Sequence, residues 1–283
     1  MKVAVLGASG QLGTDLVKVL SQSYEVIGLT HSDVEVTDKG SLSVVSECRP
    51  DVVINTAAFH KTDACEDEPL KAFSVNALGA RYVAEACLEC GAAACYISTD
   101  YVFDGLKGEP YCEDDAPNPI NTYGISKLAG EFYTKMNPRH YVFRVASLFG
   151  AAGSSGKGGN FVETVVGRAK RGEELNVVDD MWMSPTYTRD AAEAIRLILE
   201  QQLPYGVYHV VNDGCCSWFE FAKEALKLIG VDADVKPIKA SRLQARAKRP
   251  RFSALKSVKL TFKMRGWREA LRAYLVEKGY LKV

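Results

Sequence analysis

The stretch Val3-Ala4-Val5-Leu6-Gly7-Ala8-Ser9-Gly10-Gln11-Leu12-Gly13 decides the fold. Four apolar residues read as a short buried strand, and three glycines follow at spacings of three. Residues 11–20 then carry apolar side chains at helical periodicity. Gly7 permits a tight strand-to-helix turn, Gly10 lets a pyrophosphate approach the backbone, and Gly13 lets helix pack closely on strand. The helix N-terminus adds amide donors and a positive dipole end. Such a turn arises by chance in unrelated chains, but between a strand and a helix it predicts dinucleotide binding, with Gln11 and Leu12 beside the glycines.

Outward from this turn, strand-like runs at 25–29, 51–55, 94–98 and 141–145 alternate with helical runs at 39–47, 69–90 and 123–135. Alternation of this kind predicts an α/β chain built on a doubly wound parallel sheet, the Rossmann fold, with helices on both faces. Residues 1–150 read as the dinucleotide-binding domain, with 185–205 returning to it. Residues 151–184 and 206–283 read as a smaller, partly interleaved α/β substrate lobe. It holds strands at 174–178 and 207–211 and helices at 161–171, 217–229 and 267–278; a helix at 189–201 falls in the returning segment. The small, glycine-rich stretch 151–159 is expected to be a mobile loop. There is no internal repeat and no low-complexity segment.

Composition excludes several classes. Lys plus Arg equals Asp plus Glu at 35 each, so no net charge favours nucleic acid or an anionic membrane. No apolar stretch reaches the ~20 residues that span a bilayer. The N-terminal apolar run ends in a glycine turn rather than a cleavage site, so no signal peptide fits and a cytoplasmic protein is expected. Cysteines stand at 48, 65, 87, 90, 95, 112, 215 and 216. Cys87 and Cys90 form a C-x-x-C, but it lies in a helical run with no second pair or nearby histidine, so no metal site is expected. Buried thiols acting as small hydrophobes account for it.

Cofactor choice is read at the end of the second strand, where an acid would bond the ribose 2′-hydroxyl of NAD. The chain reads Leu29-Thr30-His31-Ser32 there, with no acid until Asp33. That favours NADP(H), with NAD(H) the alternative. Thr30, His31, Ser32, Glu35 and Val36, then Ala57, Ala58 and His60 after the third strand, complete the expected cofactor wall.

Tyr123-Gly124-Ile125-Ser126-Lys127 puts a tyrosine and a lysine one helical turn apart. A phenol ordinarily titrates near ~10 and transfers protons reluctantly at neutral pH. A neighbouring lysine cation favours the phenolate and can also orient a cofactor ribose. Most Y-x-x-x-K matches are surface pairs. This one follows Ser98-Thr99-Asp100-Tyr101-Val102-Phe103 at a strand end, where doubly wound sheets place ligands, so Thr99 can hold a substrate carbonyl against the tyrosine.

Together these stretches resemble an extended short-chain dehydrogenase/reductase, specifically the dTDP-4-dehydrorhamnose reductase family. The resemblance runs nearly end to end. It rests on 7–13, Arg49–Asn55, Ser98–Phe103 with Gly105, Tyr123–Glu131, Asn160-Phe161, Pro185-Thr186, and Arg249-Pro250 with Ser253 and Leu255. It implies that Tyr123 is the general acid, Lys127 its partner and Thr99 the carbonyl-binding hydroxyl, in reduction of the C4 ketone of a dTDP-linked 6-deoxy sugar. Asp100, Tyr101 and Phe103 would line the sugar site, and Asn160, Arg249 and Ser253 would serve the nucleotide-sugar side. A homodimer is compatible with this reading.

The chain departs from the family at three places. Arg144-Val145-Ala146-Ser147 lacks the family's tryptophan, Thr62-Asp63-Ala64-Cys65-Glu66 lacks its lysine, and Asp180-Met181-Trp182-Met183-Ser184 replaces a Gln-x-Gly form. Trp182 is expected to supply the missing aromatic contact. Of the basic cluster Arg242, Arg246, Lys248, Arg249 and Arg251, one or two arginines would bind a diphosphate, the others forming a solvated face. Two other readings stay open here. One is a non-catalytic dinucleotide-binding subunit like the regulatory subunit of methionine adenosyltransferase; the other is a reductase or epimerase of a different nucleotide sugar.

Overall fold

The computed structural model describes residues 1–153 and 159–282, so the glycine-rich stretch at 151–159 lies largely outside the described residues. Strand β1 (Lys2–Leu6) runs into helix α1 (Gln11–Leu20), and β2 (Glu25–Leu29) and β3 (Val52–Asn55) follow. Then come α2 (Gly79–Cys90), β4 (Ala93–Thr99), α3 (Thr122–Thr134) and β5 (His140–Val145). The second half contributes α4 (Phe161–Lys170), α5 (Thr188–Glu200), β6 (Gly206–His209), α6 (Trp218–Leu228) and α7 (Trp267–Glu277).

Six strands form one parallel sheet in the order β6-β5-β4-β3-β1-β2. Residues 206–209, assigned to the smaller lobe on sequence grounds, are its outer strand, with Gly206 opposite Tyr141 and His209 opposite Arg144. The period-2 alternation of β1 sends its side chains to two cores. Val3 and Val5 meet Leu12, Leu16 and Leu20 of α1 and Ile195 and Ile198 of α5 on one face. Ala4 and Leu6 meet Val83 and Cys87 of α2 on the other. Both faces are therefore covered, as an all-parallel sheet requires.

The chain leaves β1 for β2 on one side and returns to β3 on the other, which opens a crevice beyond the carboxyl ends of β1 and β3. The run expected as one helix at 69–90 is interrupted by a π-turn, Ser74–Leu78. That turn places Asn76 where its side chain accepts from Phe59 N at 2.9 Å and donates to Phe59 O at 3.0 Å. It thereby pins the loop after β3 at the crevice.

The second lobe has its own core, including Phe149, Leu175, Tyr187, Phe221, Leu271 and Tyr274. A strand that sequence periodicity did not reveal, Val235–Ile238, pairs with Leu175–Val178. Its inward residues are only half-buried and a proline interrupts it, which erases the alternation signal. Four of the cysteines (65, 87, 95 and 216) are buried and the other four half-buried, all as free thiols. Among the described residues no helix is long and apolar enough to cross a membrane.

Candidate active site

The glycine turn sits at the crevice. Gly7 adopts φ +78°, and its N–H donates to Leu29 O at 2.8 Å. A Cβ at Gly13 would lie 2.1 Å from Gly7 O, so helix and turn touch backbone to backbone. A Cβ at Gly10 would meet only Gly7 O, at 3.2 Å, and otherwise open space along the cleft. Thr56 Oγ1 donates to Leu6 O at 2.7 Å and ties the ends of β1 and β3 together. Gln11 Oε1 is buried without a partner and lines the same cleft. An open backbone cradle at a helix N-terminus, whose amide N–H groups donate, fits a dinucleotide diphosphate.

The cleft encloses about 960 Å³. Of the expected cofactor residues, Gly7, Gly10, Gln11, Leu12, Gly13, His31, Glu35, Val36, Ala57, Ala58 and His60 all line it. Thr30 and Ser32 do not. Thr30 instead donates from N and Oγ1 to Asp33 Oδ2, at 2.8 and 2.7 Å, and Ser32 Oγ lies 2.8 Å from Thr30 Oγ1. These bonds turn the Asp33 carboxylate back on its own loop and hold its pKa down. The rim carries His31 and Glu35, 3.4 Å apart, with Glu35 held by Thr37 N and Oγ1.

Further in, Thr99 ends β4, and Tyr123 and Lys127 occupy successive turns of α3. The N-cap Asn121 accepts from Gly124 N at 2.7 Å and sets the first turn. Thr99 Oγ1 accepts from Tyr101 N at 3.2 Å, and Tyr101 packs edge-on to Tyr123 with centroids 6.0 Å apart. Burial pushes the Tyr123 phenol above its ordinary pKa, Asp100 adds to the effect, and the Thr99 hydroxyl opposes it. Lys127 is not among the groups that move it, and the phenol stays protonated at neutral pH. Lys127 is 2% exposed; its Nζ donates to Ile97 O at 2.6 Å and lies 3.9 Å over the Tyr96 ring. Burial pulls its pKa down to about 7, against the pull of Glu131. Asp100 Oδ1 accepts from Thr99 Oγ1 at 3.0 Å, and burial lifts this carboxyl to about 6.

The remaining expected residues divide. Asp100, Tyr101 and Asn160 line the cleft. Asn160 caps α4, and its Nδ2 donates to Tyr274 Oη at 2.9 Å. Phe103 does not line it: it follows the 3-10 turn Asp100–Val102, and its ring is fully buried, stacked on Tyr111 at 4.2 Å. Trp182 also lies elsewhere, stacked on Phe252 at 6.2 Å where short strand segments bring the two together. Ser253 is buried and does not line the cleft, and Asp100 Oδ2 is buried without a hydrogen-bond partner. Arg249 pairs with Asp63 at 2.9 Å and faces a second cavity of about 460 Å³. Of the other basic residues, Arg246 pairs with Asp67, while Lys248 and Arg251 line that second cavity.

Sequence reasoning missed the aromatic wall. Trp218 and Phe161, edge to face with centroids 4.7 Å apart, line the cleft together with Ser147. Each is the first residue of a helix behind a capping box, Ser217/Glu220 and Asn160/Glu163. The S-x-x-E pattern at 217–220 was a legible start signal. That both starts face one cleft is a tertiary fact. Ser147 itself sits at φ +43°, where a side chain is strained.

Residues 1–279 match the family described as the RmlD substrate binding domain. The chain is 40% identical over 284 residues to the spore coat polysaccharide biosynthesis protein SpsK of Bacillus subtilis, covering 98% of each. It is 37% identical to a dTDP-4-dehydrorhamnose reductase of Streptomyces griseus, covering 94% of this chain and 90% of that one. The crystal structure of dTDP-4-dehydrorhamnose reductase from Bacillus anthracis in complex with NADP superposes with a TM-score of 0.92 at 38% identity. It covers 98% of this chain and 99% of that one.

Proposed function

The chain belongs to the dTDP-4-dehydrorhamnose reductase family, and on that premise we propose that it reduces the C4 ketone of dTDP-4-dehydro-L-rhamnose, with NADPH as the favoured hydride donor, to dTDP-L-rhamnose. The observation that carries the reading is the meeting of Thr99, Tyr123 and Lys127 at the strand ends, in the cleft that begins at the glycine turn. When bound, the nicotinamide supplies the hydride. The chain's own residues do the rest. The glycine turn and the N-terminus of α1 take the diphosphate. The Thr99 hydroxyl orients the substrate carbonyl oxygen toward Tyr123. The Tyr123 phenol, held protonated by its burial, gives its proton to that oxygen as charge develops there. Lys127 balances the negative charge then left on the phenolate, which in water would be screened and in this dry pocket is not.

The nucleotide end falls to the second cavity. Lys248, Arg249 and Arg251 supply cations, and Leu106, Ile120, Met181 and Leu243 supply apolar walls. This suits a diphosphate followed by a planar base. Trp218 and Phe161, rather than Trp182, offer the aromatic surface that Ser147 lacks. Homodimer assembly and a cytoplasmic location belong to the same proposal, the first to be read by light scattering on the purified chain.

The non-catalytic alternative is set aside, because the family consists of reductases and the catalytic trio is intact. Purified protein given dTDP-4-dehydro-L-rhamnose should consume NADPH, and Tyr123→Phe should lower kcat by about 10²–10⁴ with NADPH affinity retained. Failure to turn over any 4-keto nucleotide sugar refutes the reading.

A further inference from the structure

Lys127 is an ammonium in a place hostile to charge. Its direct partners are one carbonyl, Ile97 O, and the face of Tyr96, whose hydroxyl donates to Asn76 O at 2.7 Å. A buried cation with so little compensation loses its proton near neutrality. One turn further along α3 stands Glu131, fully buried. Arg144 of β5, itself 2% exposed, grips it with Nε and Nη2, both at 2.8 Å. Ser98 Oγ donates to Glu131 Oε1 at 2.6 Å, and Lys135 Nζ approaches Oε2 at 3.9 Å. Behind Arg144, His209 of β6 places Nε2 3.5 Å from Nη1, while its Nδ1 faces two backbone carbonyls, of Tyr111 and Lys256, at 3.1 Å. Carbonyls only accept, so Nδ1 carries the proton and the ring is neutral. The carboxylate is thus fixed on three sides.

We propose that Glu131 is a positioning residue for the reaction: its carboxylate, fixed by Arg144 and Ser98 behind β4, keeps Lys127 charged and aimed at the strand edge beside Tyr123. Tyr96 of β4 touches Lys127 with its ring face, and the cations Arg144 of β5 and Lys135 of α3's C-terminal end share the Glu131 carboxylate. Glu131 is the charge whose pull on Lys127 opposes burial. The arrangement also accounts for an ion pair buried where an apolar pair would pack as well. The inference rests on the reading of Lys127 as partner of the proton donor.

The test follows Lys127 directly, by NMR titration of the full chain labelled with ¹³C at lysine Cε, its signal assigned by loss in Lys127→Arg. Four proteins are compared: wild type, Glu131→Gln, Glu131→Asp, and the double variant Glu131→Met/Arg144→Met. The double variant removes the pair without stranding a buried charge, so it decides the matter if Glu131→Gln does not fold. The Lys127 midpoint should fall by at least about one pH unit in Glu131→Gln, a roughly tenfold loss of proton affinity, and in the same direction in the double variant. The alkaline limb of kcat should move with it, and Glu131→Asp should restore part of the shift. A folded variant with an unmoved Lys127 midpoint overturns the proposal. Absence of turnover by the wild type would instead strike the functional reading, while the titration still decides the role of Glu131.

Discussion

Gly13→Ala isolates what the backbone of the glycine turn contributes. The added methyl would lie 2.1 Å from Gly7 O, 2.9 Å from Gly7 C and 3.0 Å from Ala8 Cα. No side chain stands in the way, so nothing flexible can yield; α1 and the turn must separate by about 1 Å, which overpacking data put at about 1–3 kcal/mol. In a chain of this size each kcal/mol lowers Tm by about 2–4 °C. The same displacement carries the α1 amides away from the diphosphate. Hydrogen bonds to charged groups contribute about 1.5–3 kcal/mol each, so one lost bond weakens NADPH binding about 10- to 100-fold. Gly91→Ala is the matched control, with φ +75° and nothing within 4 Å of the new methyl. The left-handed conformation costs about 1–2 kcal/mol there, far from the cleft, so stability falls while affinity holds. Isothermal titration with NADPH and thermal melts on all three proteins separate the two effects. Wild-type affinity in Gly13→Ala, or equal weakening in Gly91→Ala, would refute the reasoning.

Two further outcomes follow from charge. Arg249→Ala should raise KM for the nucleotide sugar about tenfold or more and leave kcat within about threefold, since a charge-assisted bond to a diphosphate is lost while Thr99 and Tyr123 stay in place; steady-state kinetics at saturating NADPH read the split, and an unchanged KM removes Arg249 from the nucleotide site. His209, buried in the sheet, is held down to about 4, chiefly by burial. Its folded pKa lies below the unfolded value of 6.5, so the unfolded chain binds more protons between the two. Stability is therefore full above pH 6.5 and declines as pH falls toward 4, by up to about 3 kcal/mol. His209→Gln should flatten that decline in urea melts across the window, and a slope equal to wild type would show that other groups set it.

Much of the site was legible because its parts are local. The strand–glycine–helix run demands left-handed backbone at Gly7 and a missing side chain at Gly13, and both demands are written in eleven consecutive residues. Tyr123 and Lys127 share a helix face by spacing alone, and Thr99 ends the continuously buried strand that the run 94–98 announces. Other placements failed for a common reason. Phe103 and Trp182 lie in stretches whose neighbours suggest a substrate wall, yet their rings stack on Tyr111 and Phe252. Phe161 and Trp218, 57 positions apart in the chain, form the wall because two capped helix starts converge on the cleft.

The sequence by itself therefore determined the fold class, the glycine turn and the placing of Tyr123 and Lys127 on one helix face, since each depends on interactions within about one turn or one strand. Tertiary structure alone decided that residues 206–209 form the outer strand of the sheet and that Ser147 and Trp218 line one cleft. It decided too that a glutamate on α3, an arginine on β5 and a histidine on β6 meet behind Lys127. Those contacts join segments far apart in the chain, and the burial that gives them their strength, by stripping water from charge, exists only once the segments have packed.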